Sequence, residues 1–277
     1  MIDIKIFHVD HGFCAAIELS NSNTILIDCG AGKNFEPAQY VWHRHCKYLD
    51  YLILSAYTED NLSGFPDLIT QSFQHDIPIH FLVFNPSLNP EQISNKKPFP
   101  LPLANSLYNP IGNSKTMEID DLKLTFFWNE TSSFGTKYSA SLVTFLHYAD
   151  INIIFPSDLD TNGWQNLLKS YDFRRQLEKV NIFVASHHGE EKGYCKEVFN
   201  YCNPEIIIVS NKDNLPLTSE MKQIYTNHAK GSISGISNKK ILSTHEDGGI
   251  KISKYLDRLR HISTQHQSGL SHYLDSL

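Results

Sequence analysis

Tyr51-Leu52-Ile53-Leu54-Ser55-Ala56-Tyr57-Thr58-Glu59-Asp60-Asn61-Leu62-Ser63-Gly64 runs from an apolar segment of strand length into a polar turn and on into a helix, and that succession sets the class of the fold. Residues 51–54 form a short apolar run with a β-branched centre. From Leu62 onward, apolar residues recur at Phe65, Leu68, Ile69 and Phe73, with spacings of three and four that suit a helix. The polar turn therefore lies at the carboxyl end of a strand, where loops gather functional groups on a rigid scaffold.

Strands precede and follow this unit. Runs at 2–7, 15–19, 24–27 and 79–84 are short, apolar and partly β-branched, and turn residues such as Asn21-Ser22-Asn23 separate the early ones. The second half repeats the pattern, with strands at 122–128, 140–147 and 151–155 and a helix from about 161 to 170. A strand at 181–185, a helix near 196–201 and a strand at 205–210 follow. Helices after several strands favour a mixed α/β protein over an all-β sandwich. Residues 85–115 hold six prolines with little periodicity and read as a long loop, either a lid or a solvated connector. Tyr255, Leu256, Leu259 and Ile262 have helical spacing, so residues 253–277 are expected as a tail with a docked amphipathic helix, leaving residues 1–252 as one domain.

Composition narrows the function. The 277 residues are 41% hydrophobic and 19% charged, which is globular usage. The 24 Lys+Arg against 30 Asp+Glu give a net charge of -6, so no global positive field collects nucleic acid. Lys96-Lys97 and Lys239-Lys240 are the only paired lysines, and no aromatics interleave with them as a stacking platform would require. No stretch approaches 18 unbroken apolar residues and no leader-like segment opens the chain, so a cytoplasmic protein without membrane association is expected. Five cysteines without a CxxC pair read as reduced structural thiols.

Four places put acidic or metal-capable side chains just after expected strands: Asp28, Asp60, Asp158 and the pair His187-His188. Asp28 alone is a turn aspartate. Asp158 precedes a helix and could equally cap it. His43, His45 and Cys46 fall in a probable-helix pattern in which residues two apart do not share a face. His8, His11 and His147 read as partly buried, hydrogen-bonded rings.

In order, these segments resemble the metallo-β-lactamase superfamily, and most closely the hydrolase-like domain of the DNA-uptake competence channel family. Residues 6–15 sit where that family writes hydrophobic-Asp-Val-Gly-Gln-Gly-Asp-Ala. Ile25-Leu26-Ile27-Asp28-Cys29-Gly30 is similar to its Leu-Ile-Asp-Thr-Gly strand end. Ile153-Ile154-Phe155-Pro156-Ser157-Asp158-Leu159 resembles Leu-Leu-Thr-Gly-Asp-Leu, and Val184-Ala185-Ser186-His187-His188-Gly189 resembles Val-x-His-His-Gly-Ser. Residues 244–250 look like a late Thr-x-x-Asp-Gly hairpin. The implied fold is α/β, a four-layer αββα sandwich with the site along one edge of the two sheets.

The resemblance breaks at the metal loop. Where the family writes Leu-Ile-Leu-Ser-His-x-(His/Asp)-x-Asp-His-x-x-Gly, this chain has Ala56, Thr58 and Asn61 at ligand positions. Ala56 cannot coordinate, and Thr58 and Asn61 are weak donors. No third-motif histidine stands near Ser139-Ala140-Ser141. What remains for one divalent ion is Asp60, Asp158 and His188, with Asn61 as a fourth contact. That oxygen-rich set suits Mn²⁺ or Mg²⁺ as well as Zn²⁺, held weakly.

The expectation is a degenerate protein of this fold, non-catalytic or weakly catalytic, that binds a protein partner or small ligand in a regulatory role, with self-association open. The alternative is a single-metal hydrolase of phosphodiesters. In it Asp60, Asp158 and His188 hold the ion, His187 steadies a phosphate oxygen, and Glu59 is a replacement acid or base or simply a solvated loop carboxylate.

Overall fold

The computed structural model describes residues 1–9, 12–33, 35–43, 48–87, 115–130, 138–211, 215–231, 239–255 and 259–265. Its chain order begins β1 (Ile2–Ile6), β2 (Ala15–Leu19), β3 (Thr24–Ile27), α1 (Pro37–His43), β4 (Leu49–Leu54), α2 (Glu59–Leu62), α3 (Phe65–Gln74) and β5 (Ile79–Phe84). Next come β6 (Thr116–Ile119), β7 (Leu122–Phe127), β8 (Val143–Tyr148), β9 (Ile151–Phe155), α4 (Thr161–Leu167), α5 (Tyr171–Leu177), β10 (Ile182–Val184) and β11 (Ile206–Val209). The chain closes with α6 (Ser219–His228), β12 (Ile241–Ser243), α7 (Thr244–Asp247), β13 (Ile250–Lys254) and β14 (His261–Thr264).

The strands form two seven-stranded sheets, ordered β14-β13-β1-β2-β3-β4-β5 and β12-β11-β10-β9-β8-β7-β6. Each sheet has an antiparallel part and a parallel part. In the first, β3, β4 and β5 run parallel; in the second, β9 to β12 do. Alternation along each strand builds the layers, because successive side chains point to opposite faces. Ile2, Ile4 and Ile6 of β1, Ile25 and Ile27 of β3, Ile151, Ile153 and Phe155 of β9, and Ile206 and Ile208 of β11 fill the seam between the sheets. Leu26 and Leu52 face outward and pack under α1 and α3 with Val41, Phe65 and Leu68. Ile154, Ile207 and Val209 face the other way, toward Trp164 of α4, Phe173 of α5 and Tyr225 of α6. The result is the expected four-layer αββα sandwich.

Several boundaries differ from the sequence expectation. The helix after residue 62 is two pieces: α2 is one turn capped by the Thr58 hydroxyl, and α3 starts afresh at Phe65 with Pro66 in its first turn. Proline is tolerated there because its missing N–H is unpaired anyway. Residues 244–250 are no hairpin, since α7 carries the chain from β12 in the second sheet to β13 in the first. The amphipathic helix expected around Ile262 is instead β14, antiparallel to β13, with Ile262 buried opposite Ile252. An apolar residue at one position of a short edge strand satisfies the same burial that helical spacing suggested. The proline-rich segment lies mostly outside the described residues, as do His11, His45 and Cys46. Cys14, Cys29, Cys195 and Cys202 are buried and free, and no helix among the described residues is long and apolar enough to cross a membrane.

Phe173 anchors the outer layer over the second sheet. Its ring is fully buried and lies 5.2 Å from that of Phe127 and 5.5 Å from that of Phe145. Phe173→Ala should cost about 3–5 kcal/mol, the range for large-to-small changes in packed cores, read as a lower urea midpoint at unchanged slope. A loss under about 1 kcal/mol would show that α5 is not held by this contact.

Candidate functional site

Parallel strands end on one rim, and that is where the candidate residues gather. Asp28 follows β3, Ser55 follows β4, Ser157 and Asp158 follow β9, His187 and His188 follow β10, and Ser210 follows β11. The turns are tight. Asp28, Ser157, His187 and His188 all have positive φ, between 51° and 59°, a region in which non-glycine residues cost energy and which recurs where function constrains the backbone. Gly12 packs so closely on α2 that a Cβ there would lie 1.9 Å from the Asp60 carbonyl oxygen, and its φ is +84°. Only glycine fits this approach.

At the base of the rim, Asp28 is fully buried. Its Oδ1 accepts the Ser55 backbone N–H at 2.7 Å, its Oδ2 contacts the Ser55 hydroxyl, and Ser55 Oγ lies 2.7 Å from Ser157 Oγ. Loss of water around the carboxyl pushes the Asp28 pKa up to about 8, partly opposed by the Ser55 hydrogen bonds and reinforced by nearby Asp158. The one Ser55 proton goes either to Asp28, with Ser55 accepting from the Ser157 hydroxyl, or, when Asp28 is protonated and donates to Ser55, on to Ser157.

Above this chain sits Asp158, which is 3% exposed. Its Oδ2 accepts hydrogen bonds from Thr58 Oγ1 at 3.1 Å and Asn61 Nδ2 at 3.2 Å. Its Oδ1 faces His188 Nε2 at 3.6 Å. The other His188 nitrogen, Nδ1, lies 3.0 Å from the Ser210 carbonyl oxygen, which only accepts, so Nδ1 carries the hydrogen. A cavity of about 20 Å³ lies beneath, between Ser157, Asp158, His188 and the apolar side chains Phe13, Phe155 and Val184. It has room for about one water.

The structure thus brings Asp158, His188 and Asn61 together. Asp60 is half-buried in the first turn of α2 and does not line the cavity. His187 is buried against Tyr138, with ring centroids 4.7 Å apart, and neither ring nitrogen has a hydrogen-bond partner among the described residues. Burial holds its pKa below the usual histidine value, opposed by Asp158. The serines at 55, 157 and 210 are participants that sequence reasoning missed, and Thr58, read there only as a weak ligand, acts as a hydrogen-bond donor. A serine after an apolar strand reads as turn chemistry, and the only signal was its recurrence after β4, β9 and β11.

The fold family implies metal ions, and this donor set does not fit a two-metal centre. Thr58 and Asn61 spend hydrogens on Asp158 Oδ2, whereas a ligand presents a lone pair. No cluster of three or more His, Cys, Asp or Glu side chains able to hold an ion is present among the described residues. The donors left on the rim are Asp158 Oδ1, His188 Nε2 and the unpartnered, buried Asn61 Oδ1.

Comparison with known proteins agrees with this architecture. No protein-family model and no curated protein matches the sequence. Among solved structures, the chain is similar to the metallo-β-lactamase fold protein YhfI from Bacillus subtilis, at 11% identity and a TM-score of 0.54 over 88% of this chain and 96% of that one. It is also similar to Zn²⁺-bound PqqB from Methylobacterium extorquens, at 10% identity and a TM-score of 0.55 over 91% of this chain and 100% of that one. A diphosphatase of the PhnP family aligns at 10% identity with a TM-score of 0.53, covering 92% of this chain and 99% of the other. The chain has the metallo-β-lactamase fold.

Asp28 gives the site a pH signature. Between its ordinary value of 3.8 and about 8, the native state holds a proton that the unfolded chain releases. The group's contribution is complete below 3.8 and falls by about 1.4 kcal/mol per pH unit as pH rises toward 8. Asp28→Asn keeps a donor toward Ser55 and cannot ionise. Urea melts from pH 5 to pH 8 should show wild type losing stability relative to this variant; parallel curves would mean that Asp28 is ionised throughout.

Proposed function

We propose that the chain is a degenerate protein of the metallo-β-lactamase fold, a non-catalytic or weakly catalytic binding or regulatory protein of the cytoplasm, which engages a protein partner or a small ligand. The observation that carries this reading is the hydrogen bonding of Asp158. Side chains from the loop after β4, Thr58 and Asn61, donate to its carboxylate, so charge-assisted hydrogen bonds perform the loop-joining role that ions otherwise supply. Relation to the competence-channel hydrolase-like domain rests on the sequence segments alone.

One observation favours a second reading, a single-metal hydrolase of phosphodiesters. The Ser210 carbonyl orients His188 so that Nε2 faces Asp158 Oδ1, and a ring positioned through its other nitrogen is the usual state of a metal-binding histidine. In that reading Asp158 and His188, with Asn61 and Asp60 beside them, would hold one divalent ion, which supplies an activated water. His187, whose ring nitrogens have no hydrogen-bond partner among the described residues, would meet a phosphate oxygen. The diphosphatase among the structural neighbours supports phosphoester chemistry at this level.

Elemental analysis of protein purified without chelator, followed by hydrolysis of bis-p-nitrophenyl phosphate with added Mn²⁺ or Zn²⁺, separates the two. The binding reading expects metal well below one per chain and no turnover above that of Asp158→Ala. One ion per chain with turnover abolished in Asp158→Ala would establish the hydrolase instead. Restoring the missing ligands in Ala56→His, Thr58→His and Asn61→His together should raise bound metal above the wild-type level.

A further inference from the structure

The helices do not roof the whole outer face of the second sheet. Lys123 of β7 pairs with His147 of β8, which pairs with Asn152 of β9, so these three side chains form one outward row. The neighbouring row holds Thr125 and Phe145. α5 lays Phe173 over Phe127 and Phe145 and ends at Leu177. Between the end of this helix and the exposed row lies a cavity of about 220 Å³. Asn152 is near the start of β9, whereas Asp158 follows its end, so the cavity and the rim lie at opposite ends of the sheet.

The chemistry of this cavity is uniform in sign. Lys123 enters from the sheet and Lys179 from the turn after α5, and none of the lining residues carries a carboxylate. The Lys179 ammonium has no ion-pair partner among the described residues, and the adjacent Glu178 is taken by Arg175 at 2.5 Å. Lys123 meets Glu118 at 2.8 Å, in a pair 46% and 64% exposed. Such solvated pairs are weak and yield readily to a better anion. Thr125, 8% exposed, lines the cavity beside these lysines. His147 Nδ1 is held by Asn152 Oδ1 at 2.7 Å, which fixes the ring beside the opening. The apolar side of the cavity is formed by Phe145 and Val180, both buried in the outer layer.

We propose that this cavity binds a small organic phosphate, its head between Lys123 and Lys179 and its body on Phe145 and Val180. Two ammonium point charges arriving from different elements suit a phosphate dianion with three acceptor oxygens. The planar arginine fork that best matches a carboxylate is absent from the lining. The volume admits a ligand the size of a single substituted ring.

Calorimetric titration of the full chain with phenyl phosphate tests the assignment. Binding should be saturable, and Lys179→Glu and Lys123→Glu, each verified as folded by circular dichroism, should weaken it at least about tenfold. Asp158→Ala should bind as wild type does; loss of binding there would place the ligand at the rim and overturn the proposal. So would absence of binding at millimolar phenyl phosphate, or equal affinity in the lysine variants. Benzoate, benzyl alcohol or inorganic phosphate binding as tightly would also overturn it, because the head charge and the ring would then not both be recognised.

Discussion

The two sheets are joined at the rim by one hydrogen-bonded chain, Asp28–Ser55–Ser157. Asp28 and Ser55 belong to neighbouring strands of the first sheet, and Ser157 belongs to the second. The interior seam is apolar and non-directional, so it holds the sheets face to face without fixing how their ends meet. A buried polar chain does fix it, because each member must find its partner or bear the cost of desolvation. A backbone bond from Leu142 N–H to the Ser55 carbonyl, 2.7 Å long, clamps the same point from the second sheet.

From that clamp the rest of the site follows. With Ser157 held, Asp158 is presented to the loop after β4, and Thr58 and Asn61 meet its carboxylate from the first sheet. The left-handed conformations of Ser157, His187 and His188 are stored strain that the surrounding hydrogen bonds must balance. His187 N–H donates to the Ser157 carbonyl at 2.9 Å, and Ser186 Oγ donates to the Leu159 carbonyl at 2.5 Å. The rim is thus braced by protein groups from four strand ends.

The same sheet serves differently at its two ends. At the rim, loops from both sheets converge and the polar groups are largely satisfied by one another. At the far end, β7, β8, β9 and the end of α5 line the cavity, and Lys179 there has no ion-pair partner among the described residues. In a chain of net charge -6, a pocket without carboxylates stands out against the surrounding field.

Much of the fold was legible along the chain. Short continuous apolar runs placed β2, β3, β5 and β9 at their observed bounds, since a strand covered on both faces needs apolar side chains on both. The order of Asp28, Asp60, Asp158 and His188 could be read along the chain, and the residues at 56, 58 and 61 were compared with the metal loop of the family that the sequence resembles. Tertiary structure alone decided that Ile262 packs in an edge strand, and that the turn residue Asp28 is fully buried, with its pKa raised by burial and its carboxyl joined to Ser55 and through it to Ser157. It also decided that Asn61 turns its amide hydrogens, and not its oxygen, toward Asp158. Those outcomes depend on water exclusion and on partners about a hundred residues away, and neither burial nor hydrogen-bond direction is written in local spacing.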